Sequence, residues 1–304
     1  LNCATGPRDM TDEIRTLSAL ADMAVSCVPN AGIPQEGIFP ESAEMLADAL
    51  GYFMDKGWLN IIGGCCGTTP AHIKELAKLV ANKKPRAIPR WQGTQVAGIE
   101  HLKIEEENRP YQVGERMNVL GSRVFKQLIA DGKYEEASEV GRNQVKAGAA
   151  ILDVCLQDPD RDEMQDILAV LRHLVKKVKV PIMLDSTDHR IFEQALKLIQ
   201  GKAILNSINL ENGEERFEQV CPIIHKYGCA VVVGTIDEDP QQGMGVTVER
   251  KLEIAERSYK LLTEKYGIPA EDIIFDPLVF PCGTGDVNYI GSAEKTIKGI
   301  TAIK

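Results

Sequence analysis

The sequence is poor in aromatic residues, at 5%, with two tryptophans in 304 residues. Histidine is scarce as well. His72, His101, His173, His189 and His225 are scattered, mostly on helix-like or connecting stretches, so no histidine cluster for catalysis is expected. No apolar run approaches the roughly 20 residues of a membrane span, and no secretory leader is recognisable. No Lys/Arg block occurs, and the formal net charge is -9, which argues against nucleic-acid and anionic-membrane partners. No G-x-G-x-x-G follows the first strand, which weakens a dinucleotide fold. Gln242-Gly243-Met244-Gly245 has no following Lys-Ser/Thr and reads as a mobile loop rather than a phosphate cradle. Eight irregularly spaced cysteines without a leader read as reduced thiols, and the protein as cytoplasmic.

Hydrophobic residues make up 44%, enough for a real core, and the length suits two domains. One stretch organises the rest: Gly63-Gly64-Cys65-Cys66-Gly67-Thr68-Thr69-Pro70. An apolar run over 58–62 leads into it as a strand, and helical spacing at Ile73, Leu76, Leu79 and Val80 follows. Pro70 suits the first helical position, with Thr69 as cap. Neighbouring side chains on a straight strand point to opposite faces, so Cys65 and Cys66 can meet one metal only if the backbone bends. The flanking glycines permit that bend. Cys3, in Leu1-Asn2-Cys3-Ala4-Thr5-Gly6-Pro7, is the best candidate for a third thiolate. Three thiolates with one open position are the pattern of a reactive zinc site. The plain alternative is three small buried residues, because a Cys-Cys pair is less diagnostic than paired C-x-x-C knuckles. Cys27, Cys221, Cys229 and Cys282 read as apolar fillers.

Strand and helix patterns alternate along the chain. Residues 1–83 carry helix-like stretches at 12–23, 42–56 and 71–81, with short strands between, and the opening residues read as the middle of a fold. Residues 84–110, with Pro85, Pro89 and Pro110, read as an interdomain linker in which Trp91 could anchor to a domain surface. Residues 111–304 carry strand-like runs at 111–118, 150–155, 180–185, 203–207, 230–236 and 273–276, separated by helix-like stretches. Six such units fit a doubly wound sheet or an eight-unit barrel cut short. Most of these strands end in a polar residue: Glu115 and Asn118, Asp153, Asp185, Asn206 and Asp276. In a parallel barrel those ends share one mouth. Carboxylates and amides with little positive charge suit a neutral heterocycle rich in N–H donors, such as a pterin. Taken singly, each of these residues is as well explained as a strand or helix cap. Asp185, Asn206 and Asp276 together favour a site. Arg116, Arg123 and Lys126 could meet a carboxylate tail or simply face solvent.

These motifs resemble a known family. Leu1-Asn2-Cys3-Ala4-Thr5-Gly6-Pro7, Pro29-Asn30-Ala31-Gly32 and the Gly63–Thr68 stretch look like the end of the homocysteine-binding domain of cobalamin-dependent methionine synthases. Val113-Gly114-Glu115-Arg116-Met117-Asn118, Leu184-Asp185-Ser186, Leu205-Asn206-Ser207-Ile208 and Ile274-Phe275-Asp276-Pro277 look like their folate-binding domain. The resemblance implies two (β/α)₈ TIM-type barrels, each partial in this sequence: the C-terminal part of a first barrel at 1–83, and a second at 111–304 lacking its last units. It implies zinc on Cys3, Cys65 and Cys66 to activate homocysteine. It implies 5-methyltetrahydrofolate held by the strand-end residues named above. It also implies cobalamin, carried by a domain or protein outside this sequence, as the methyl carrier. Met117 and Cys155 depart from the family pattern, where Thr and Asn are frequent.

Three other readings remain at this point. A stand-alone methyltetrahydrofolate:corrinoid methyltransferase or a dihydropteroate-synthase-like enzyme would explain the pterin pattern, but neither needs the cysteines. A cobalamin-free, zinc-dependent homocysteine methyltransferase would leave the second domain unexplained. A non-catalytic zinc-binding module would require a fourth protein ligand.

Overall fold

The computed structural model describes residues 1–89 and 93–304. Trp91, the expected linker anchor, lies outside the described residues. The chain divides into two compact units, Leu1–Gln92 and Gly93–Lys304.

The first unit contains α1 (Thr11–Leu20), β1 (Ser26–Cys27), α2 (Ala43–Asp55), β2 (Ile61–Ile62) and α3 (Pro70–Val80). β1 and β2 are parallel, with Ser26 opposite Ile61 and Cys27 opposite Ile62. Asn2 bridges Val28 in the same sense, so three successive extended segments lie side by side. α2 starts where the Ser42 hydroxyl accepts the Met45 N–H at 3.3 Å. Its Leu46, Leu50 and Phe53, spaced four and three apart, form one face. They pack with Ile14, Cys27, Leu59 and Leu76.

The second unit opens with a hairpin, β3 (Gln95–Ala97) and β4 (His101–Lys103), inside the stretch expected to be a linker. Strands of three residues carry too little periodicity to announce themselves in a sequence. The hairpin is firmly seated. The Ala97 N–H donates to the Lys202 carbonyl at 3.0 Å, and the Glu100 N–H to that of Lys179 at 3.0 Å. At Gly98 a Cβ would stand 2.2 Å from the Lys179 carbonyl oxygen, so no other residue fits.

Then come β5 (Val113–Asn118), α4 (Arg123–Ala130), α5 (Tyr134–Lys146), β6 (Ile151–Cys155), α6 (Glu163–Leu174), β7 (Ile182–Asp185), α7 (His189–Leu196), β8 (Ile204–Leu210), α8 (Glu215–Tyr227), β9 (Ala230–Asp237), α9 (Val248–Lys260), β10 (Ile273–Asp276) and α10 (Ser292–Ile303). All six strand positions match the sequence reading to within a few residues. The short helix α4 has no counterpart in that reading; it is capped by Ser122 and buried through Phe125 and Ile129. α9 departs from regular geometry at its end, widening into a π-helical turn over Leu261–Lys265.

The six strands β5–β10 are all parallel and lie in strictly sequential order. A doubly wound sheet reverses its order at a switch point. Sequential order is that of a (β/α) barrel, so the unit is a partial TIM-type barrel. Period-two alternation sorts its strand residues. Leu152, Val154, Leu184, Leu205, Val231 and Val233 face the helices and pack on Phe125, Ile167, Phe192 and Phe217. Ile151, Ile204, Ala230 and Val232 face inward and pack on Val96 of the hairpin, with Met183 and Ile274 beside them. The hairpin thus seals the lower end of the inner face with an apolar layer. Cys221 and Cys229 are buried fillers as expected, whereas Cys282 is exposed. No helix among the described residues is long and apolar enough to cross a membrane.

Candidate functional site

Cys3, Cys65 and Cys66 meet, with their sulfurs all within 4.8 Å of one another. Cys3 Sγ is 3.6 Å from Cys66 Sγ, and Cys65 Sγ is 3.9 Å from it. A disulfide would need about 2.05 Å. Tetrahedral zinc with bonds of about 2.3 Å separates its sulfurs by about 3.8 Å, close to the spacing of these two pairs. Local backbone produces this convergence. Gly67 has φ +79°, and a Cβ on Gly64 would stand 2.2 Å from Thr68 Cγ2, so the bend needs both glycines. The Cys65 N–H donates to the Pro29 carbonyl at 2.7 Å, and the Thr68 hydroxyl to the Cys65 carbonyl at 2.6 Å. Asn30, buried, accepts the Cys66 N–H at 3.2 Å. Cys3 arrives from the other side, its N–H on the Val28 carbonyl at 2.9 Å. Cys3 and Ala4 both sit at φ +63°, a costly region for residues with a side chain and one that tends to mark functional sites.

The thiols interfere with each other's ionisation. The Ala4 N–H and the Cys65 and Cys66 thiols hold Cys3 below the usual thiol range, while Cys3 and Cys65 push Cys66 up to about 11. Three thiolates therefore require a cation among them. A borderline-soft dication fits this donor set, and Cys66 is exposed, leaving one side open to a further ligand. His72 belongs to the scaffold. Its Nδ1 accepts the Thr69 N–H at 3.2 Å, and Nε2, 3.0 Å from the Glu41 carbonyl oxygen, then carries the proton. It tethers the start of α3 to the segment before α2.

In the second unit, Asp153, Asp185, Asn206 and Asp276 each follow an inward-facing apolar residue by two positions, so they form the polar layer above the hairpin. Asp185 is in register with Asn206. Asp153 is 3% exposed, and its Oδ1 has no hydrogen-bond partner. Burial pushes its carboxyl up to about 7; Asp185 adds to this, the Asn206 amide opposes it and Glu115 adds further. Asp185 is also raised by burial, against a contribution from the Cys155 thiol and with one from Glu115. Glu163, at the start of α6, is absent from the sequence-based candidates. Burial raises it, the Ser186 hydroxyl opposes, and Asp188 and Asp185 contribute; its Oε1 lacks a partner. Asp185 thus lies near enough to Asp153 and to Glu163 to raise both, and each of those two keeps one buried oxygen without a partner.

Arg216, on α8, is missed by sequence reasoning because a helix-borne arginine reads as surface. Its Nη1 donates to the Thr187 carbonyl at 2.7 Å, Nη2 to that of Ser186 at 2.7 Å and Nε to that of Ser207 at 3.3 Å. It clamps the segments that follow Asp185 and Asn206. Several of the other expected residues make local contacts of their own. The Asn118 side-chain oxygen accepts the N–H groups of Leu120 and Gly121 at 2.8 and 2.9 Å, capping a turn. Asp276 Oδ1 accepts the Leu278 N–H at 2.8 Å. Between Asn206 and Asp276, Gly234 of β9 adds no side chain, and Asp276 stands beside it in register. Glu115, Arg116 and Asn118 line an open cavity of about 500 Å³. Lys126 is paired with Asp158 at 2.9 Å. Met117 is fully buried and, paired with helix-facing Val154, turns away from the mouth, while Cys155 faces it. The Gln242–Gly245 stretch is pinned: Gly245 N–H donates to the Thr235 carbonyl at 3.0 Å, and Ile236 bridges Met244.

Residues 114–300 match the family model described as "Pterin binding enzyme", more than half of the chain. The chain belongs to the pterin-binding enzyme family. In this pterin-binding enzyme the match contains the whole polar layer of the inner face. Residues 1–80, which include Cys3, Cys65 and Cys66, match the model described as "Homocysteine S-methyltransferase". The chain therefore joins a homocysteine-methyltransferase-like part to a pterin-binding part, in the expected order. Among solved structures it is similar to a dihydropteroate synthase from Thermus thermophilus, at 21% identity over 68% of this chain and 73% of that one, with a TM-score of 0.49. It is also similar to the Xanthomonas albilineans dihydropteroate synthase with 4-aminobenzoic acid, at 17% identity over 65% and 70%, TM-score 0.48. The 7,8-dihydropteroate synthase from Vibrio fischeri is a third, at 16% over 66% and 73%, TM-score 0.45.

Proposed function

We propose that this protein serves methyl transfer from 5-methyltetrahydrofolate to homocysteine, giving tetrahydrofolate and methionine. The observation that carries this reading is the convergence of three thiols with an open side, in a chain whose larger part is a pterin-binding enzyme. Residues 1–83 form the thiol unit in this reading, and residues 111–304 the pterin unit.

Cys3, Cys65 and Cys66 would hold zinc, which when bound supplies a Lewis acid that keeps an added thiol deprotonated near neutral pH. The chain's own task there is positioning: Asn30, Pro29 and Thr68 fix the Cys65-Cys66 turn. In the second unit, Asp185 and Asn206 would accept and donate to the pterin edge, with Glu115, Asn118 and Asp276 around it. The methylated nitrogen is a poor leaving group unless it gains a proton or a hydrogen bond. Asp153, whose burial keeps a proton on it up to about pH 7, has such a proton to offer. Cobalamin follows from the sequence resemblance and belongs to a domain or protein other than this chain. No residue here is assigned to it, and no step is derived through it. The reduced thiols this chemistry needs fit a cytoplasmic setting.

Zinc content per chain tests the reading, with and without homocysteine, in the original protein and in Cys66→Ala. One zinc, lost in the variant and gaining a sulfur neighbour from homocysteine in its X-ray absorption spectrum, is expected. A well-folded protein that binds no zinc would overturn the thiol half of the proposal.

A further inference from the structure

Lys251, on α9, is fully buried. An ammonium taken out of water must find partners. Here they are backbone carbonyls: Nζ donates to the Pro277 oxygen and, at 3.3 Å, to the Leu278 oxygen, and lies 4.9 Å from the Phe280 ring centre. The space is shaped to this side chain. A Cβ on Gly299 of α10 would stand 2.7 Å from Lys251 Cδ, and one on Gly245 3.4 Å from Cγ. The loop that Lys251 grips begins immediately after Asp276. Leu278 adopts φ +59°, unusual for a residue with a side chain, and its carbonyl also accepts the Thr296 hydroxyl at 3.0 Å. The N–H of the same residue donates to Asp276 Oδ1 at 2.8 Å.

We infer that Lys251 is a positioning residue for Asp276: it fixes the left-handed Leu278, whose N–H orients the strand-end carboxylate toward the pterin. The inference rests on the proposed reading of Asp276 as a pterin contact. A lysine serves better than a neutral filler because one ammonium can donate to both carbonyls of the turn.

The test is 5-methyltetrahydrofolate affinity of the full chain, by calorimetry, in Asp276→Ala, Lys251→Met, Thr296→Val and the double variant Asp276→Ala/Lys251→Met. A lost charge-assisted hydrogen bond should weaken binding roughly 10- to 100-fold in Asp276→Ala. Lys251→Met should weaken it about tenfold, and Thr296→Val about two- to threefold. Because Lys251 acts through Asp276, the double variant should bind within about twofold of Asp276→Ala. The Leu278 amide proton resonance should also move in ligand-free Lys251→Met. If Lys251→Met weakens binding as much in the Asp276→Ala background as alone, its role is general packing and the inference fails. If Asp276→Ala weakens binding and Lys251→Met does not, the inference fails while the pterin reading stands. If Asp276→Ala binds normally, the pterin role of Asp276 fails and this inference with it. Should Lys251→Met not fold, Thr296→Val decides: a normal affinity and an unmoved Leu278 resonance overturn the inference.

Discussion

Replacing Asp153 with Asn should change the stability of the second unit in a pH-dependent way. In the unfolded chain this carboxyl ionises near its ordinary value of 3.8; in the fold, burial delays ionisation to about 7. Between those values the folded state holds a proton that the unfolded state has released. The stability tied to that proton is fully present below about pH 3.8, declines as pH rises, and is lost above about 7. At about 1.4 kcal/mol per pH unit, the displacement corresponds to ~4 kcal/mol. Asn keeps the shape and carries no charge. The difference in unfolding free energy between Asp153→Asn and the original protein should therefore move by roughly 3–4 kcal/mol in the variant's favour between pH 4 and pH 8. Asp185 and Glu163 are raised by burial too, but they are present in both proteins and cancel to first order. Urea unfolding followed by circular dichroism at each pH gives the free energies, and amide exchange in β6 assigns the transition to this unit. A difference that does not vary with pH would show that burial does not govern Asp153, and would refute the reasoning.

Asp185→Ala and Asn206→Ala should each weaken 5-methyltetrahydrofolate binding roughly tenfold or more; unchanged affinity in a calorimetric titration would remove both from the pterin site. Arg216→Met would leave the carbonyls of Ser186, Thr187 and Ser207 without their donor. It should lower stability by about 2–4 kcal/mol in denaturant unfolding and weaken pterin binding together with it. Gly98→Ala would force a Cβ into the Lys179 carbonyl. It should cost about 1–3 kcal/mol and loosen the hairpin, read as faster amide exchange at Ala97 and Glu100.

The strand positions of the second unit were legible because most are short apolar runs with a polar residue at or near the end, and that pattern survives in one dimension. Their order was not, since a doubly wound sheet and a barrel share the same repeat; the pairing of β5 to β10 in sequence settles it. The cysteine site was half legible. Adjacent cysteines between glycines announced a bend, but that Cys3 comes within 3.6 Å of Cys66 depends on the Val28 and Asn30 contacts, which have no local signature. Arg216 and Lys251 were invisible for a similar reason. A charged residue on a helix reads as solvated until the fold turns it inward. Asn118 adds what a strand-end pattern does not carry: its side-chain oxygen also caps the turn that follows.

The inner face of the second unit carries an energetic conflict. Below it the hairpin seals an apolar layer, and above it Asp153 and Glu163 keep buried acceptor atoms without partners. Buried, unpaired acceptors cost roughly 1–3 kcal/mol each. Protonation relieves part of that cost at acidic pH, which is why Asp153 holds its proton so far above the usual range. At neutral pH the relief weakens, and these oxygens are left to water or to a molecule bringing N–H donors. A positive ligand would find the carboxyls attractive but would not need their strand-end spacing; an anion would be repelled. A neutral, N–H-rich heterocycle answers the arrangement on both counts. In the proposed reading, the destabilisation that makes the fold more fragile at high pH would become a source of affinity for such a ligand.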